Sequence, residues 1–397
     1  MSAKSFTKGR EPRMRFVEPD RDSGTSVAVI VRSGETLAHT ALMRPVDRNG
    51  KIVDRGEAAA QADRVLANLN WALAAAGTGR ENTVKMTVYV ADETALAPAR
   101  DSVLQAFPGE VRPAVTWIVN PQPDPSILVT MDAVAVAPRS DGVTLHVSDL
   151  LPSWHGAAHV SVTPPGQVFH LSGQTAEGAT LDEAAANTIR ALHRTLTHLG
   201  LGPQHIVQIK AFVSPSEPST NAVLAIASLY DKGRCPPIIV SGSRATLPRT
   251  VEIEMIAVDS RSREEEPPVR YVELPWMSTS PGFSLVAVAN TSRHGLIYFS
   301  GIVPPTNLSP ESQIAWTFDR LQNVCVAAGS DFDHLVKATY YVKNSPMGGA
   351  LRDIRLRYYR PGRSPAASLV TGNGGARPGT DCTLDMIGLS VVQPQHP

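Results

Sequence analysis

The chain has 397 residues, 42% hydrophobic and 19% charged, with 37 basic residues against 37 acidic ones. That length is expected to hold two to four domains with ordinary cores, and the cancelled charge favours neither nucleic acid nor an anionic membrane. No run approaches the roughly 18 apolar residues of a membrane span, the first residues hold no apolar secretion core, and Cys235, Cys325 and Cys382 lack disulfide or metal-ligand spacing, so a cytoplasmic protein with no membrane partner is expected.

In chain order, Thr25–Val31 alternates as a strand. A helical stretch from about Ala58 to Ala76 then sets Val65, Leu66, Leu69 and Leu73 on one face at the 3.6-residue period. Gly77 supplies its C-cap, where positive φ is usual. The run Val84–Val90 reads as a strand, and a second helix ends at Phe107, followed six residues later by Pro113. Val129–Ala135 alternates as a closing strand. The same series returns twice. Gly200 precedes Val207–Val213, Tyr230 precedes Pro236, and Val251–Ala257 closes the second copy. Gly329, Val336–Val342, Tyr359, Pro365 and Cys382–Gly388 form the third.

The period of about 125 residues exceeds the 20–50 of solenoid repeats, so each copy is domain-sized. Linkers fall at Pro138–Gly142 and in the charged run Asp259–Arg270, giving domains at 15–138, 145–259 and 269–393. Each copy reads strand, strand, helix, strand, helix, strand, strand: an α+β layer with helices on one face of a mixed sheet. Three such sheets leave apolar faces that bury one another if turned inward. The expectation is a compact monomer built as an intramolecular pseudo-trimer, sheets inside and helices outside.

The Leu-x-x-x-Gly helix ends, the Val-Lys-x-Thr-Val-Tyr-Val strand, the Pro-Ala element and the Val-Glu-Ile-Glu-x-Ile-Ala strand resemble the RidA/YjgF family, also called L-PSP endoribonucleases. The resemblance covers nearly the whole chain as three YjgF-like (chorismate mutase-like) copies. It implies clefts between neighbouring units, each with an arginine gripping a substrate carboxylate, a glutamate positioning water and a Ser-Gly pair from the neighbouring unit. The implied arginine position holds Val115, Ile238 and Ala367. The implied glutamate position holds Thr130, Glu252 and Thr383. The implied pair stands at Ser172-Gly173 and Ser300-Gly301, with Thr40-Ala41 in the first copy.

A charge-assisted hydrogen bond contributes roughly 1.5–3 kcal/mol, so losing a bidentate arginine contact weakens carboxylate binding by a decade or more. Ordinary 2-imino acid deamination is therefore not expected. The expected function is binding or hydrolysis of a small metabolite, without cofactor or metal, using Glu252 as water-positioning residue and Ser172, Gly173, Ser300, Gly301 and Arg244 as binding residues. The competing expectation is a non-catalytic scaffold with degenerate clefts. RNA cleavage rests on the family's label alone.

The remaining candidates read as structural. His155 and His159 have i, i+4 spacing near His170, yet no further ligand stands in register. The basic run Arg352–Arg360 reads as the outer face of a helix. Repeated serine–lysine pairs, as in cyanuric acid hydrolases, are not met: Lys85 and Lys337 recur, but Gln208 stands between them in the series.

Overall fold

The computed structural model describes residues 12–20, 22, 25–122, 124–153, 155–214, 219–231, 233–243, 250–261, 266–278, 280, 282–372 and 379–391. The first repeat runs β1 (Met14–Asp20), β2 (Thr25–Val31), β3 (Thr36–Thr40), α1 (Ala58–Ala75), β4 (Thr83–Val90), α2 (Leu96–Ala106), β5 (Ala114–Val119), β6 (Val129–Ala137). The second runs β7 (Thr144–His146), β8 (Val160–Thr163), β9 (Gln167–Glu177), α3 (Leu181–His198), β10 (Ile206–Val213), α4 (Ser219–Ala227), β11 (Ile238–Gly242), β12 (Thr250–Asp259). The third runs β13 (Val269–Val272), β14 (Val286–Asn290), β15 (Gly295–Phe299), α5 (Pro310–Ala327), β16 (Leu335–Val342), α6 (Ser345–Arg355), β17 (Ala366–Thr371), β18 (Cys382–Ser390). No helix among the described residues is long and apolar enough to cross a membrane.

Element order matches the sequence reading, with one addition. Each copy opens on an extra strand (β1, β7, β13) that pairs antiparallel with the strand after it. These strands are partly exposed edges without strong alternation, which hid them from pattern reading. Gly77, Gly200 and Gly329 hold φ of 72°, 75° and 72°, the left-handed conformation in which glycine ends a helix without a Cβ clash.

Within each copy the central strand pairs parallel with the strand after the second helix and antiparallel with the closing strand (β4 with β5 and β6, β10 with β11 and β12, β16 with β17 and β18). The ladders then pass from copy to copy. β3 pairs with β8, β9 with β14, and β15 returns to β2, so the inter-repeat ladders close a circuit. The borrowed strand also completes the neighbour's core. Val160 and Val162 of β8 pack among α1, α2 and the first sheet. Val286 and Val288 of β14 pack in the second core, and Ala28 and Ile30 of β2 in the third. A copy taken alone would thus leave part of its apolar helix-side face in water.

The other sheet faces meet in a shared cluster drawn from all three copies, including the equivalent Val84, Val207 and Val336. Beside it, a cavity of about 20 Å³ is lined by Leu37, Val168 and Leu296 and, one step on, by His39, His170 and Tyr298. His39 Nδ1 and both ring nitrogens of His170 are buried with no hydrogen-bond partner. Burial holds His39 neutral, lowering its pKa to about 4. Burial, with Lys337 and His39 nearby, lowers that of His170 to about 3. Because the folded values lie below the ordinary 6.5, the unfolded chain binds more protons between them, and stability falls as pH drops from about 6.5 toward 4. At about 1.36 kcal/mol per unit the loss is on the order of 3 kcal/mol for His39 alone. Glu252 and Asp132, raised to about 7 and 6, act in the opposite sense over the same range. In urea unfolding across pH 4–7 the midpoint of His39→Phe/His170→Phe should therefore fall less on acidification than that of the native sequence.

Candidate active site between the repeats

The strand registers align the copies residue by residue. Lys85, Gln208 and Lys337 are equivalent; so are Thr116, Ile239 and Ser368, and Asp132, Glu254 and Asp385. Val115, Ile238 and Ala367 align at the position without an arginine, and Thr130, Glu252 and Thr383 at the glutamate position. The Ser-Gly pair needs a correction. His39, His170 and Tyr298 face the equivalent Val134, Ile256 and Ile387, so the first copy's counterpart is Ala41-Leu42 rather than Thr40-Ala41. The backbone agrees: Ala41, Ser172 and Ser300 donate their N–H groups to His159, Leu285 and Val27 of the next copy. A glycine count in sequence cannot see this one-residue offset, which only the ladder register decides.

Where the second copy meets the third, the Ser172 hydroxyl donates to the Ser284 carbonyl at 2.5 Å and accepts the Ala367 N–H at 2.8 Å. A Cβ on Gly173 would stand 2.0 Å from Glu252 Oε1, so the glycine leaves the room this carboxyl occupies. Behind Glu252, Glu254 Oε2 accepts from Lys337 Nζ at 2.7 Å and from the Ser368 hydroxyl, and Lys337 Nζ lies 3.4 Å from Ser368 Oγ. Glu252 is half-buried. Burial and then the Glu254 charge push its carboxyl up to about 7, against the pull of Lys337 and a hydrogen bond from Ser368. A carboxyl that is half protonated near neutrality can both accept and return a proton.

Where the third copy meets the first, the scaffold is kept and the acid is lost. Lys85 Nζ contacts Asp385 Oδ1 at 2.7 Å, Thr116 Oγ1 at 2.6 Å and the Phe299 carbonyl at 2.5 Å. Burial lowers the Lys85 pKa, and Asp385 opposes that shift. The Ser300 hydroxyl accepts the Val115 N–H at 2.8 Å and donates to the Ser26 carbonyl. Opposite Gly301 stands Thr383, whose hydroxyl is spent on the Ile302 carbonyl at 2.9 Å.

The first–second junction is filled. Leu42 replaces the glycine and packs with Tyr89, Ile118, Phe212, Ile239, Tyr341 and Val370. Gln208 Nε2 turns to the Thr40 carbonyl at 2.8 Å. Asp132 Oδ2 and Thr130 Oγ1 are buried without hydrogen-bond partners. Burial raises the Asp132 carboxyl to about 6, with Lys210 working against the shift.

The structure thus brings Glu252, Ser172 and Gly173 together and sets Ser300 and Gly301 in a separate junction. Arg244 lies outside the described residues, as do Arg249 and Arg377. The histidines do not form a cluster. His155 sits in a loop with φ of 54°, and His159 is buried between the Ser148 N–H and the Pro152 carbonyl. No set of three His, Cys, Asp or Glu among the described residues can hold a metal. The cysteines are free and buried. A second correction concerns the basic run: Arg355 is 7% exposed, not outward-facing, because it closes the inner side of α6. Ser368 and Thr116 went unnoticed in sequence. They supply the hydroxyls beside Lys337 and Lys85 across parallel strands, a pairing that register rather than spacing creates.

The Endoribonuclease L-PSP family model matches residues 27–137 and 280–374, on the first and third copies and together just over half of the chain. A RutC family protein of Synechocystis is 36% identical over 87 residues, which is 22% of this chain and 67% of that protein. Among solved structures, a Rid family protein of Yersinia pestis is 28% identical and covers 32% of this chain and 99% of its own, with a TM-score of 0.29. A YjgF family member of Neisseria meningitidis is 24% identical over 32% of this chain and 97% of its own, with a TM-score of 0.24. The extent of the family match, together with strands and junctions that recur copy by copy, establishes that the chain belongs to the Endoribonuclease L-PSP family, whose members include the Rid/YjgF proteins.

Proposed function

We propose that the chain is a pseudo-trimer of three domains, 15–138, 145–259 and 269–393, with one working cleft between the second and third. The closed circuit of inter-repeat ladders and the cores completed by a neighbour's strand support that architecture. The reaction we infer is hydrolysis of a small molecule at a C=N bond. One observation carries it: Glu252, alone among the three equivalents in bearing a carboxyl, stands against side-chain-free Gly173 with its pKa at about 7.

In this reading Glu252 accepts a proton as water adds to the imine carbon, and passes it to the nitrogen. The resulting carbinolamine then loses ammonia to leave a carbonyl, so C=NH and water become C=O and NH₃. Ser172 and Gly173 shape the wall, and the Lys337–Glu254–Ser368 group behind Glu252 holds its orientation. The first–second junction, filled by Leu42, serves as scaffold. RNA cleavage is disfavoured by charge. Lys337 and Lys85 at the two polar junctions are each paired with a carboxylate, Glu254 and Asp385, so neither offers a free cation to a phosphate backbone.

The test is ammonia release from small imines without a carboxylate, generated in situ by a flavin amine oxidase, followed from pH 5 to 9. The rate should inflect near pH 7, and Glu252→Gln should lower it by the roughly 10²–10⁴-fold typical of a lost acid–base group. A Glu252→Gln enzyme within twofold of the native rate refutes the assignment.

A further inference from the structure

The equivalent carboxylates behind the clefts differ by one methylene. Asp132 and Asp385 stand in the first and third copies, and Glu254 in the second, the copy that also carries Glu252. The residue facing each from the next copy changes as well: Ile239 faces Asp132, Ser368 faces Glu254 and Thr116 faces Asp385. A longer acid and a smaller hydroxyl residue therefore meet only where Glu252 stands.

The added reach changes how the hydroxyl is held. At the third–first junction the cation lies between the two: Lys85 Nζ donates to Thr116 Oγ1 at 2.6 Å and to Asp385 Oδ1 at 2.7 Å. At the second–third junction Lys337 Nζ stays on Glu254 Oε2 at 2.7 Å but stands 3.4 Å from Ser368 Oγ, and the serine hydroxyl donates to Glu254 Oε2 directly. A further hydrogen bond joins Ser368 to Glu252. One hydroxyl, 3% exposed, is thus shared by two carboxyls on one face of β12.

A hydroxyl carries one proton and two lone pairs, so it cannot donate to both carboxyls at once. While it donates to Glu254 its oxygen is left to accept, and Glu252 can bond to that oxygen only when protonated. Once Glu252 is ionised, rotation of the hydroxyl directs the same proton to Glu252. Glu254 then still has Lys337. The other charges around this group are placed elsewhere. Lys210 of β10 stands across the ladder from Glu254, and Arg355 of α6 is hydrogen-bonded to Tyr340 on the helix side of β16.

We propose that Ser368 is the positioning residue that lets Glu252 hold and release its proton. Its hydroxyl accepts from the protonated carboxyl, turns to donate to the ionised one, and leaves Glu254 to Lys337 in both states. The serine keeps its own proton throughout, so the proton exchanged with the reactants is that of Glu252. The inference rests on the second–third cleft being the site and adds the device that serves both forms of its acid. At the third–first junction Thr383, in the place of Glu252, spends its hydroxyl on the Ile302 carbonyl, so Thr116 has no such acid to serve.

Carbon-13 NMR of the full chain labelled at glutamate carboxyls tests this without substrate, Glu252→Gln assigning the Glu252 signal. The native titration should centre at about 7. Ser368→Ala removes a donor to the ionised form and should raise the midpoint by about half a unit or more. Ser368→Thr keeps the hydroxyl, in a shape the equivalent Thr116 already adopts, and should restore the native midpoint. Glu254→Gln removes a like charge and should lower it. An unmoved or lowered midpoint in Ser368→Ala overturns the proposal, and so does a Ser368→Thr chain that titrates like Ser368→Ala. The pH inflection of ammonia release should follow the same shifts. If the carboxyl titrates as expected while the native chain releases no ammonia, the hydrolytic reading fails and the role of Ser368 stands.

Discussion

Lys337→Met is expected to destabilise the fold by about 3–5 kcal/mol, the usual result of breaking a buried ion pair from one side. Lys337 and Glu254 come from different copies, meet at 2.7 Å and have side chains only 8% and 10% exposed. Removing the lysine leaves the Glu254 carboxylate in a desolvated junction with the Ser368 hydroxyl and the more distant charge of its cross-strand neighbour Lys210. Chemical denaturation measures the loss directly. A second variant separates the two contributions. Lys337→Met/Glu254→Leu removes both charges and should recover most of the stability, since well-packed apolar replacements of a buried pair are often neutral or better. If the single variant is as stable as the native chain, the pair is not the clasp between the second and third copies that its geometry implies.

Gly173→Ala should have the largest effect on turnover. The new methyl carbon would stand 2.0 Å from Glu252 Oε1 and 2.8 Å from its Cγ, so the carboxyl must swing away. A displacement of an ångström at a reacting group costs about a hundredfold, and the expected loss is at least that, with little change in folding stability. Gly301→Ala is the matched control. Its methyl would meet Thr116 at 3.1 Å and Thr383 Oγ1 at 3.3 Å, in a junction that holds no acid. Steady-state rates should therefore separate the two variants sharply. Equal losses would mean that the cleft beside Glu252 is not where the chemistry occurs.

Much of the fold was legible because it is written three times. Helix ends at Gly77, Gly200 and Gly329 and alternation in β4, β10 and β16 are local signals, set by backbone sterics and by which face meets the core. Strands β1, β7 and β13 escaped because partly exposed edge strands need no strict alternation. At the site, Glu252 stood out from its equivalents in sequence, and its closeness to Gly173 follows from pairing of β9 with β12. The offset between Thr40-Ala41 and Ala41-Leu42 did not show, since a strand's register depends on a partner 90 residues or more away. Arg355 was misplaced for a similar reason: in a run dense with arginines, the helix pattern does not say which one turns inward.

The sequence by itself determined the three copies, their element order, and the absence of an arginine from the strand position in each. Those features depend on short-range periodicity and on residue identity, which a single chain displays openly. Only the tertiary structure decided which copies share a junction, that Leu42 fills one of them, and that the Lys337–Glu254 and Lys85–Asp385 pairs clasp the other two. It also buried Arg355 on the inner side of α6. Each of these is a contact between residues far apart in the chain, and its energy comes from desolvation and charge pairing that exist only once the copies have closed on one another.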